Sequence, residues 1–147
     1  MYRCIQKDKS TLNPIKFIKF VEEAISKEPS MLDEVALRRF ISALYFSLFN
    51  YWAEKSYIKS RRGKGGPCQD SFSYSEFHTY LSQRQLDFVA HLLFLYRVAA
   101  DHYTLNPTYV RLQDRLWGGV YYVELNYDGL KRAIELAKKA LRAIEGQ

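Results

Sequence analysis

Apolar positions recur along this chain with spacings that predict five helices and one hairpin. Asn13 caps a first helix, Pro14 takes its first position, and Ile15, Ile18, Val21 and Ile25 form one stripe to about Ser26. Ser30, with Asp33 three residues on, starts a longer helix that reaches about Tyr57. There Leu37, Ile41, Leu44, Leu48 and Tyr51 share a face, which Phe40, Tyr45 and Trp52 widen. Arg61 to Ser71 reads as loop. Ser73 and Glu76 make a capping box for a short helix through Leu81. A third long helix begins near Gln83 and aligns Leu86, Val89, Ala90, Leu93, Arg97 and Ala100. The last, about Tyr127 to Glu145, turns Leu130, Ala133, Ile134, Ala137, Leu141 and Ile144 inward, with Lys131, Lys138, Lys139 and Arg142 on the opposite face.

The helical period breaks between the last two helices. Val120-Tyr121-Tyr122-Val123-Glu124-Leu125 is rich in β-branched and aromatic residues, and Trp117-Gly118-Gly119 reads as a turn before it. Thr108 to Leu116 can pair with it as a hairpin, with Val110 and Leu112 on one face. A distorted helical extension is the alternative.

Composition narrows the class. The chain has 147 residues, 48% of them hydrophobic and 26% charged, which fits one soluble domain able to bury a core. The N-terminus lacks the apolar segment of a secretory signal, no run approaches a membrane span, and the expected place is the cytoplasm. Cys4 and Cys68 have no motif spacing, which argues against a disulfide scaffold. The twelve Tyr, nine Phe and two Trp can fill a core or supply stacking surface.

The net charge of +6 is unevenly spread. Lys55, Lys59, Arg61, Arg62 and Lys64 follow one another without an acid among them, a candidate RNA-binding track or a merely solvated loop. Gly63-Lys64-Gly65-Gly66 is no phosphate cradle, because Pro67-Cys68 supplies neither the Lys-Ser/Thr pair nor a helix start. His78, His91 and His102 show no metal-ligand spacing, so neither a metal nor another cofactor is expected.

What remains as chemistry is Arg97 and His102, with Asp101 and Tyr103 beside them. An arginine can stabilise charge developing on a phosphate and a histidine can move protons, which suffices for metal-free RNA cleavage. On a continuous helix, five residues rotate about 140°, so the two side chains diverge unless the helix ends near Asp101 or a second chain supplies one of them. Asn106-Pro107 makes such an end reasonable. Spacing alone is weak: about 0.7 matches arise by chance in this composition, and Arg84 with His91 is a second, accidental one.

Order adds weight. Arg39-Phe40-Ile41-Ser42-Ala43-Leu44-Tyr45-Phe46-Ser47-Leu48-Phe49-Asn50, then Arg97 to His102 closing the third long helix, then the Ala-rich Leu130 to Ile144 together resemble the HEPN superfamily. The resemblance implies a mainly all-α fold: an antiparallel helical bundle of HEPN type, one domain over residues 1–147, with a β-hairpin insertion near 108–125. It implies a homodimer with Arg97 and His102 as catalytic residues of a metal-independent endoribonuclease, Asp101 and Tyr103 supporting them. Toxin members of the family often have a minimal nucleotidyltransferase as antitoxin. Other members are non-catalytic modules that bind a nucleotide, RNA or protein. The sequence departs from the nuclease pattern at Val98, where active members favour a polar residue, and at Tyr103, which directly follows the histidine. Arg97-x-x-Ala100-Asp101-His102 is also similar to an Arg-x-x-Ala-Asp-Tyr variant, in which the arginine meets an aspartate across the bundle or the dimer. Both readings stand at this level.

Overall fold

The computed structural model describes residues 13–27, 32–60, 72–103, 109–113 and 118–146. Over these the chain is a helical bundle with one small antiparallel hairpin, in the order α1 (Ile15–Lys27), α2 (Glu34–Ser60), α3 (Tyr74–Ser82), α4 (Asp87–His102), β1 (Tyr109–Gln113), β2 (Val120–Glu124) and α5 (Tyr127–Glu145). The long helices α2, α4 and α5 pack on one another; α1 lies on α5 and α2, and α3 on α4 and α2.

Side-chain caps set most helix starts. The Asn13 carboxamide accepts the Ile15 amide at 3.0 Å, and Asp33 accepts that of Ala36 at 2.8 Å. Asp33 is thus the cap at the start of α2, while Ser30 lies outside the described residues. Ser73 and Glu76 form the reciprocal capping box of α3, satisfying amides that a helix start leaves unpaired. Asn126 accepts the Gly129 amide at the start of α5.

One boundary differs from the sequence reading. α4 begins at Asp87, not near Gln83, because a left-handed Gln85 (φ 60°) turns the chain first. The Gln85 amide bonds to the Ser82 carbonyl and that of Leu86 to Leu81, so a tight turn closes α3 before the next helix starts. At its other end α4 closes at His102, near Asp101, and carries Arg97 and His102 on one unbroken helix.

The hairpin is the second element of the core-facing surface. Val110 pairs with Val123 and Leu112 with Tyr121, and Val110, Leu112 and Val123 are buried. A strand alternates faces, so Tyr109, Arg111, Val120 and Tyr122 point outward and are exposed. Gly118 and Gly119 take positive φ at the turn before β2, which glycine tolerates without strain. Where β2 hands over to α5, Gly129 packs so close that a Cβ there would overlap the Glu124 carbonyl. α5 buries its apolar stripe from Leu130 to Ile144, and its Lys138 reaches Glu22 of α1 at 3.1 Å.

Candidate functional site

α4 carries Arg97 inward and leaves His102 in solvent. The Arg97 guanidinium lies over the rings of Phe46, Tyr74 and Phe94, at 5.1, 5.5 and 5.6 Å from their centroids. A cation so placed is attracted by the ring faces. Its Nε is 3.4 Å from the Asp101 carboxylate, one turn along the same helix, with the two side chains only 16% and 20% exposed. That separation makes an ion pair but no hydrogen bond, and Nε is buried without a hydrogen-bond partner. The aspartate that meets Arg97 is therefore on its own helix.

His102 is exposed and is the last residue of α4. With the helix unbroken from Arg97, the five-residue step turns the two side chains about 140° apart. One chain does not aim both at a single phosphate. Tyr103 is the helix cap and is 42% exposed.

Sequence reasoning missed the residue that holds this helix end. Arg38, buried on α2, donates from Nη1 to the carbonyls of Ala99 and Ala100 at 3.0 and 3.1 Å and from Nη2 to that of Tyr103 at 3.0 Å. Its Nε donates to Glu34 at 2.9 Å. The last carbonyls of a helix have no partner within it and carry partial negative charge, so a guanidinium there satisfies both needs. The sequence did carry a signal: Arg38 stands on the stripe of Ile41, Tyr45, Leu48 and Trp52, a charge at core spacing.

The basic track divides. Lys55 lies over the Tyr51 ring at 5.0 Å, and Lys59 is exposed in the last turn of α2. Arg61, Arg62 and Lys64 lie outside the described residues. Arg84 and His91 are engaged separately: Arg84 stacks on Tyr80 at 3.6 Å and donates to its carbonyl, while buried His91 meets the edge of Tyr121 at 4.8 Å.

Two further features come from the fold. On the outward face of the hairpin, Tyr109 and Tyr122 stack with centroids 5.3 Å apart and planes 24° apart, and they are 51% and 55% exposed. Arg111 stands directly across from Tyr122. Between α3, α4 and β1 lies a cavity of about 640 Å³, whose lining includes Tyr74, His78, Asp87, Phe94, Tyr103 and Gln113 but neither Arg97 nor His102. His78 in its wall is 3.0 Å from the Tyr45 hydroxyl through Nε2. Burial, with a smaller push from His91, lowers the His78 pKa to about 4, so the ring is neutral at pH 7. Burial raises the Tyr45 pKa above its ordinary value, against a downward pull from Arg97.

Among the described residues no group of His, Cys, Asp and Glu could hold a metal ion, and no helix is long and apolar enough to cross a membrane. No family model, curated protein or solved structure matches this chain.

Proposed function

We propose that this chain is a HEPN-like helical module that binds single-stranded RNA on the outward face of its hairpin without cutting it, in the cytoplasm. The observation that carries the reading is the exposed Tyr109–Tyr122 stack beside Arg111. Two large rings more than half in solvent contribute little to the core, yet they form a flat surface of the kind on which bases stack. Such stacking is worth about 1–3 kcal/mol per base and tolerates any sequence, because every base has a ring face. Arg111 adds a phosphate contact beside the rings, and the +6 charge of the chain favours any polyanion. Binding without cleavage is supported by α4, where Arg97 is paired with Asp101 and His102 is exposed.

Binding of a labelled oligouridine, followed by fluorescence anisotropy, tests this. Tyr109→Ala with Tyr122→Ala should weaken binding at least about tenfold, and Phe at both positions should retain it. Equal affinity of the Ala variant would remove the stack from the account.

A second reading has its own observation. The buried Arg97 Nε without a hydrogen bond and the exposed His102 are what a composite nuclease site would look like in one of its two chains. In that reading a homodimer brings Arg97 and His102 of two chains to one cleft, and a minimal nucleotidyltransferase serves as antitoxin.

A further inference from the structure

The Tyr109–Tyr122 stack shares its face with a carboxylate, whose chemistry the stacking of bases does not use. Alternation places Tyr109, Arg111 and Gln113 of β1 and Val120, Tyr122 and Glu124 of β2 on the outward side. The register sets Tyr109 opposite Glu124 and Arg111 opposite Tyr122. The two rings thus hold one diagonal of a four-residue square, and Arg111 and Glu124 hold the other. Directly opposed residues stand about 4.5–5.5 Å apart at Cβ. A base lying on either ring is therefore within a side chain's length of both charged groups.

Glu124 is half-buried, and among the described residues it is in no ion pair. Two arginines stand near it. Arg111 lies diagonally across the ladder, and Arg132 of α5 hydrogen-bonds the Tyr96 hydroxyl, on which Glu124 also acts. An RNA strand brings negative charge of its own, so an acid on this face weakens binding unless a base answers it.

Stacking is blind to sequence, but the edges of the bases are not alike. Guanine alone presents two adjacent donors, N1–H and the 2-amino group, spaced to meet the two oxygens of a carboxylate. Adenine and cytosine offer an amino group beside a ring nitrogen that accepts, and uracil offers one N–H between two carbonyls. Each of these sets an acceptor against the carboxylate. We infer that the outward face reads guanine in single-stranded RNA. The base stacks on the tyrosine pair, its N1–H and 2-amino group donate to Glu124, and Arg111 holds a neighbouring phosphate. This rests on the RNA reading above and adds a base preference to it.

Fluorescence anisotropy of the full chain with labelled uridine heptamers tests it, the central base being uracil, adenine, guanine or hypoxanthine. The guanine heptamer should bind about tenfold tighter than the adenine one, whose purine stacks as well but lacks the donor pair. Hypoxanthine keeps N1–H without the 2-amino group and should fall between them. Glu124→Ala should remove the guanine advantage while the all-uridine heptamer binds at least as well as before, which also reports an intact hairpin. Glu124→Gln keeps the shape and one acceptor oxygen; it should lose most of the advantage, and it decides should the Ala variant not fold. Tyr109→Ala with Tyr122→Ala should weaken all four heptamers together. Equal affinity for guanine and adenine, or a guanine advantage that survives both Glu124 variants, overturns the inference and leaves the RNA reading standing. Binding of none of the four overturns both.

Discussion

His78 joins burial to titration. Its imidazole sits among the rings of Tyr45, Phe77 and Phe94, and burial holds its pKa at about 4 against an ordinary 6.5. The unfolded chain therefore binds a proton between those values that the folded chain refuses. Stability from this residue is fully present above pH 6.5, falls as pH drops from 6.5 to 4, and is lost below. The shift corresponds to about 3 kcal/mol, reduced to about 2 by the solvent that reaches a partly exposed ring. His78→Gln keeps a hydrogen-bonding group for the Tyr45 hydroxyl and cannot titrate. Urea denaturation at pH 7 and pH 4 should show a smaller loss for the variant, by about that amount. An equal loss in both would mean that His78 titrates normally in the fold. None of this was legible in the sequence, where His78 is a lone histidine on a short helix; its environment is made by α2 and α4, distant along the chain. Arg97 was legible as a charge on an apolar stripe. Asp101 and Phe94, within a turn of it on the same helix, were legible as its neighbours; the rings of Phe46 and Tyr74, from α2 and α3, required the packing.

Elements were legible where capping chemistry is local. Asn13, the Ser73–Glu76 box and the start of α5 follow from residues within one turn, so the sequence suffices. The hairpin was legible as one of two readings, with Val110 and Leu112 on one face, and the structure shows that face buried. The start of α4 did not, because Gln85 takes a left-handed conformation that glutamine composition does not announce. The end of α4 is held by a residue more than sixty positions away. Arg38→Met removes the guanidinium that joins α2 to the Ala99, Ala100 and Tyr103 carbonyls, of which only that of Ala99 keeps a second donor among the described residues, the Tyr103 amide. It should cost about 2–3 kcal/mol in urea denaturation. Arg38→Lys should recover little, because one ammonium cannot reproduce the planar fork. Hydrogen exchange should quicken at the amides of the last turn of α4 before elsewhere. Full stability in the Met variant would show that the helix end needs no such cap.

At the scale of the molecule, the bundle and the hairpin divide the work. α2, α4 and α5 supply the core, and the hairpin adds an amphipathic ribbon with Val110, Leu112 and Val123 inward and two stacked tyrosines outward. The HEPN resemblance rests on the order of helices and on Arg97 and His102, and it directs attention to the end of α4. The geometry of that end in one chain, an arginine tied to Asp101 and a histidine turned into solvent, favours binding over cutting. Incubation of a labelled single-stranded RNA with excess protein in EDTA, run in parallel on native and denaturing gels, tests this most directly. The account predicts RNA that is shifted on the native gel and intact on the denaturing one. Cleavage that persists in EDTA and disappears in His102→Ala would contradict it and establish the composite nuclease site instead.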